Sequence, residues 1–123
     1  MQAEPAQLPK EFLRPCLLLL LREQAAHGYD LLERLRPLGF VRHDPGGLYR
    51  ALRALEGDGY VRSSWQPSRS GPDRRIYEIT REGKEELHRR ARALSETRTV
   101  LDVFLSRYSE FAAIRERERV PRR

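Results

Sequence analysis

Read from its amino terminus, the chain sets out apolar residues first at helical and then at strand spacing. Over 10–24 they crowd together: Phe12, Leu13, Cys16 and an unbroken run from Leu17 to Leu21. Five consecutive leucines put apolar groups on every side of a helix, so this helix needs partners on more than one side. A chain this small has few elements to offer, which points to a second subunit. Ala26, His27 and Gly28 break the pattern. A second helix is predicted over 29–36, with Tyr29, Leu32 and Leu35 on one face and Leu31 beside them, ended by Pro37 and Gly39.

A third helix is predicted over 45–56. Asp44 suits the N-cap, and Pro45 suits the first helical position, where its missing N–H is not needed. Leu48, Leu52 and Leu55 fall at i, i+4, i+7 and form the buried stripe. Gly57, Asp58 and Gly59 stop it. Alternation then replaces helical spacing. In 60–66, Val61, Ser63 and Trp65 share one side, with Tyr60, Arg62 and Ser64 on the other. In 74–80, Arg75, Tyr77 and Ile79 alternate with Arg74, Ile76 and Glu78. A loop rich in Pro, Ser and Gly separates the two strands, so they read as a hairpin. The fold class is therefore mostly α with a small β-hairpin: a winged helix-turn-helix over 10–80, preceded by a flexible arm at 1–9.

Thr80 suits another N-cap, with Glu82 in the first turn. A long helix is predicted over 81–111, about 46 Å in length, before a basic frayed tail at 112–123. Its first half is charged on most faces. Its second half carries Leu94, Thr97, Leu101, Phe104, Tyr108 and Phe111, with Val100 and Leu105 beside them. Steps of 3 and 4 make a coiled-coil-like seam. The partner expected for it is the same helix of another copy, together with the leucine-rich first helix. Leu13, Leu17, Leu20, Leu94, Leu101, Phe104, Leu105 and Tyr108 are thus the expected dimer interface. The alternative is a helix that folds back on its own domain.

Composition narrows the function. The 123 residues suffice for one domain. The net charge is +6, and of the 24 basic residues only Lys10 and Lys84 are lysines. Arginine suits bidentate contacts to phosphates and base edges, although a GC-rich genome also yields it. The longest apolar run is far below the roughly 20 residues of a membrane helix, and residues 1–10 lack the order of a signal peptide; a cytoplasmic protein is expected. One cysteine, Cys16, allows no internal disulfide or multi-cysteine zinc site. No metal or cofactor is expected. His27, His43 and His88 stand in no metal-binding pattern, no phosphate loop occurs, and Ser63, Ser64, Ser68 and Ser70 lack an adjacent base. No catalytic residues emerge.

The outward side of the third helix carries Tyr49, Arg50 and Arg53, and Gly46 and Gly47 keep its first turn slim enough for backbone N–H groups to approach a phosphate. The hairpin adds Arg69, Arg74 and Arg75. Helix and hairpin converge on one side, and double-stranded DNA is the expected partner. Whether these arginines read bases or phosphates stays open. A protein-interaction adaptor is the alternative, but that role calls for apolar residues on this face. Trp65 on a wing strand reads as packing more readily than as contact, and Tyr77 as hairpin core. His27 reads as a cap or packing residue.

Three segments together resemble one family. His27-Gly28-Tyr29-Asp30-Leu31-Leu32, then Gly47-Leu48-Tyr49-Arg50-Ala51-Leu52-Arg53-Ala54-Leu55-Glu56, then Gly71-Pro72-Asp73-Arg74-Arg75-Ile76-Tyr77-Glu78-Ile79-Thr80 with Gly83 look like the PadR family of bacterial transcriptional regulators. The resemblance covers about 12–110 and implies a winged-helix homodimer that binds operator DNA as a repressor, with Tyr49 and Arg50 as DNA contacts. Pro15 to Leu21, Gly39-Phe40, Asp44, Gly46, Trp65 and Leu101-Asp102 with Phe104 are also similar to the poly-β-hydroxybutyrate-responsive repressors. That similarity implies a hydroxybutyrate polymer as inducer. Drug-sensing relatives instead bind planar aromatic ligands between their C-terminal helices, where Leu101, Phe104 and Tyr108 would form the effector site.

Overall fold

The structure, a computed structural model, describes residues 7–119. Its elements are α1 (Leu13–Glu23), β1 (Ala26–His27), α2 (Gly28–Arg34), a 3-10 turn (Arg36–Leu38), α3 (Pro45–Gly57), β2 (Val61–Gln66), β3 (Arg74–Ile79) and α4 (Arg81–Arg119). The first six residues of the expected arm and the last four of the expected tail lie outside the described residues. The chain forms two compact units, one reaching Arg89 and one beginning at Arg90.

The core of the first unit is the leucine set that periodicity picks out. Leu48, Leu52 and Leu55 of α3 are buried together with Leu31, Leu32 and Leu35 from α2 and its end. The leucine-rich α1 sits among them and is covered by α2, α3 and β3. Leu17 is 0% exposed, and Leu18, Leu20 and Leu21 are buried too; only Leu19 reaches solvent. This corrects the expectation that α1 needs a second subunit, because its own unit surrounds it. At its C-terminus Arg34 donates to the Leu20 carbonyl at 2.9 Å, which also accepts the Gln24 N–H at 3.1 Å, and to Glu23 at 3.2 Å. Phe12 stacks on Phe40 with ring centroids 6.1 Å apart. Leu8 lies against Gly39, whose φ of 102° suits glycine, so the expected arm is held at that residue.

The sheet has three strands in the order β1-β3-β2, all antiparallel. Val61 pairs with Ile79, Ser63 with Tyr77 and Trp65 with Arg75 on one face, as alternation implies. The strand β1, pairing Ala26 with Tyr77 and His27 with Ile76, was not foreseen. Two residues carry no period, so nothing in the pattern can announce them.

Both expected caps form. Asp44 Oδ1 accepts the Gly47 N–H at 3.0 Å, and Thr80 Oγ1 accepts the Gly83 N–H at 3.0 Å while donating to the Gly59 carbonyl. Helix α4 thus starts directly against the hairpin base. It does not fray at 111 but runs to Arg119. From Lys84 to Val120 there is neither Gly nor Pro, and the Ala, Glu and Arg that fill its end favour helix. Within the second unit, Val100, Leu101, Val103, Phe104, Leu105, Tyr108, Phe111 and Ile114 are all exposed. Among the described residues no helix is long and apolar enough to cross a membrane.

Candidate nucleic-acid interface

Burying the leucine stripe of α3 turns Tyr49, Arg50 and Arg53 outward. The Arg50 guanidinium folds back towards the first turn, where a Cβ added to Gly46 would stand 3.2 Å from it. Gly47 behaves differently from expectation. Its N–H is donated to Asp44, and the Asp44 carboxylate fills the space where a side chain at Gly47 would stand. A phosphate would meet that negative charge, so Gly47 serves the cap and offers no anion site.

Tyr49 reaches across to the start of α2. Its ring lies so close to Gly28 that an added Cβ there would be 2.6 Å from Tyr49 Cε1 and 2.7 Å from its hydroxyl. Tyr49 remains 37% exposed. It borders an open groove of about 440 Å³ lined also by His27, Gly28, Tyr29, Asp30, Arg74, Arg75 and Tyr77. The structure therefore joins Tyr49 of α3 to Arg74 of β3. It also adds three residues to which sequence reasoning gave no binding role: His27, Tyr29 and Asp30. They belong to the first motif of the PadR resemblance, which was the available signal. Tyr29 is exposed and meets His43 edge-on, with ring centroids 6.3 Å apart. His27 does not cap α2 with its side chain; its Nδ1 lies 3.2 Å from the Arg75 carbonyl oxygen.

The hairpin divides its arginines. Arg69, in the loop, and Arg74 are exposed. Arg62 pairs with Glu78 at 3.3 Å. Arg75 is held on three sides. Its Nε donates to Ser63 Oγ at 2.8 Å, its guanidinium comes within 4.0 Å of Glu56 at the end of α3, and it lies over Trp65, 5.3 Å from the ring centroid. Ser63 Oγ in turn donates to Glu56 at 2.8 Å. Trp65, expected as packing, is 64% exposed and lies outside the buried core; its indole carries the guanidinium. Tyr77 is buried as expected, and burial pushes its phenol above the ordinary value while Arg75 pulls it down.

The expected dimer residues separate in the same way. Leu17 and Leu20 are buried in their own core and Leu13 is half-buried against it, so Leu17 and Leu20 have almost no surface to give a partner. Leu101, Phe104, Leu105 and Tyr108 are exposed on α4, and Leu94 is half-buried. A surface groove of about 420 Å³ runs along α4, lined by Val100, Val103, Phe104, Arg107, Tyr108 and Phe111. It contains Phe104 and Tyr108 of the expected effector site and leaves Leu101 beside it. Among the described residues no three His, Cys, Asp or Glu side chains are grouped to hold a metal ion.

Comparison with known proteins agrees with this architecture. The model of the transcriptional regulator PadR-like family matches residues 17–89. A "probable transcriptional regulator" of Mycobacterium tuberculosis is 37% identical over 87 residues, which cover 67% of this chain and 45% of that protein. The chain thus spans less than half the length of this curated relative. The PadR-like regulator of Bacillus cereus superposes with a TM-score of 0.71 at 26% identity, over 81% of this chain and 97% of that one. Bacillus subtilis PadR, crystallised in complex with operator DNA, superposes with a TM-score of 0.55 at 27% identity, over 62% of this chain and 44% of that one. With the winged-helix fold, the three motifs and the family match in agreement, the chain belongs to the PadR-like family of transcriptional regulators.

Proposed function

We propose that this chain acts in the cytoplasm as a homodimeric repressor of a palindromic operator. In this reading α3 of each copy enters a major groove, Arg74 and Arg69 of the hairpin meet the neighbouring backbone, and half-sites lie one helical turn apart, roughly 10 bp. The observation that carries it is the outward face of α3. It presents Tyr49, Arg50 and Arg53 to solvent with no aliphatic anchor, and Tyr49 borders one groove with Arg74. A protein-interaction adaptor calls for apolar anchors on that face. The operator complex of the Bacillus subtilis relative supports the DNA reading. The row of exposed apolar residues on α4 supports a second copy of this chain as their cover. The same helix would hold an inducer at Phe104 and Tyr108 with Leu101 beside them, for which a hydroxybutyrate polymer or a planar aromatic ligand is proposed.

The test is fluorescence anisotropy with DNA from upstream of the chain's own gene against a scrambled duplex, over a salt series. An operator reader binds its site tighter by a factor of about 10³ or more. Equal binding to both duplexes would leave only charge-driven association. Arg50→Ala should weaken specific binding by about 1–3 kcal/mol if Arg50 reads a base; a loss equal on all sequences assigns it to phosphate. Addition of hydroxybutyrate oligomers or planar aromatics should release the operator, and the absence of release by either removes those inducers.

A further inference from the structure

We infer that Arg75 is a positioning residue rather than a DNA contact: with Glu56, Ser63 and Trp65 it forms a strut that sets the angle of the wing against α3. This deepens the DNA-binding reading above. The strut joins two elements that must meet DNA together. Glu56 stands on the last turns of α3, Ser63 and Trp65 on β2, and Arg75 on β3. Ser63 Oγ is the hub, donating to Glu56 at 2.8 Å and accepting from Arg75 Nε at 2.8 Å. The Arg75 guanidinium reaches Glu56 at 4.0 Å and covers the Trp65 ring at 5.3 Å.

Each partner restricts Arg75 in a different way. The hydrogen bond fixes the edge of the guanidinium, the carboxylate offsets its charge, and the indole face holds its plane. A guanidinium so occupied is poorly placed to take a phosphate in the bidentate manner, which needs a free fork. Trp65 also acquires a reason to stand exposed on a wing strand. Its ring is the plate on which Arg75 lies, and cross-strand register places the two opposite each other.

The sign of one substitution separates strut from contact. Glu56→Ala removes a negative charge beside the wing and frees Arg75. If Arg75 were a DNA contact, this change would tighten binding. The strut predicts the reverse: Glu56→Ala and Arg75→Met each weaken specific binding, by about tenfold, and the double variant is no weaker than either single one. Tighter binding by Glu56→Ala, or additive losses, would overturn the strut.

A second readout needs no DNA. Trp65 is the only tryptophan in the chain, so its fluorescence reports the site alone. Acrylamide quenching of Trp65 should rise in Glu56→Ala, and in the milder Ser63→Ala, while far-UV circular dichroism stays that of the parent. Unchanged quenching in Ser63→Ala and Glu56→Ala overturns the strut. Failure of the parent protein to select any duplex overturns the operator reading alone, because the fluorescence arm still decides the strut.

Discussion

Asp44 shows how much a single side chain decides here. Its carboxylate accepts the Gly47 N–H and opens α3, the helix that carries the candidate interface. Asp44→Ala should cost about 1 kcal/mol in stability, measured by urea denaturation. A loss under a few tenths would mean that neighbouring structure holds the helix start unaided. Cys16 is a second case. Burial in α1 lifts its thiol from 9.0 to about 11, so the fold favours the neutral form. The stabilisation this implies is complete below pH 9 and is lost as pH rises through about 11. The native thiol should therefore stay inert to Ellman's reagent at pH 8 and react fully in denaturant. Rapid reaction of the folded protein would show that α1 opens.

At the level of elements, the joint between hairpin and α4 leaves no spare room. A Cβ at Gly83 would overlap the Tyr60 carbonyl oxygen and stand 2.7 Å from Ile79 Cγ1. The nearest group is backbone, so it cannot swing aside as a side chain would. Gly83→Ala should destabilise the protein by about 1–3 kcal/mol in chemical denaturation, whereas Gly57→Ala, with nothing within 4 Å, should not destabilise it. Equal stability of the two variants would show that the helix start shifts without strain. The α1 helix makes the opposite point. Its leucines on all sides suggested a missing subunit, yet α2, α3 and β3 surround it. A pattern tells how much surface must be buried and not which neighbour buries it.

For the whole molecule, the exposed apolar row of α4 is the largest feature that its own helix leaves unburied. Phe104 is 64% exposed, and its neighbours on the same helix are exposed with it. With another copy as partner, Leu101→Glu combined with Phe104→Glu should convert a dimer to a monomer in sedimentation velocity and abolish operator binding. A dimer that survives both changes would place the seam elsewhere. The Leu17 and Leu20 surfaces cannot be that alternative, since both are sealed in the core of the first unit.

The amino-acid sequence by itself determined the presence of the four helices, the hairpin and the sides of its two strands, both caps and the outward face of α3. Each rests on local chemistry: a period of 3.6 or 2, a carboxylate or hydroxyl before a helix, a proline at its first turn. The PadR resemblance was legible because three motifs carry it together. Tertiary structure alone decided the rest. Strand β1 exists only because β3 passes beside Ala26 and His27. His27, Tyr29 and Asp30 line the groove beside Tyr49 only because α2 starts next to it. Arg75 turns from a free cation into a strut only because folding brings Glu56, Ser63 and Trp65 around it. The Gly47 N–H likewise goes to Asp44 because the cap brings its carboxylate there. The cause is the same each time: residue type states what a side chain can do, and distance in space chooses which partner receives it.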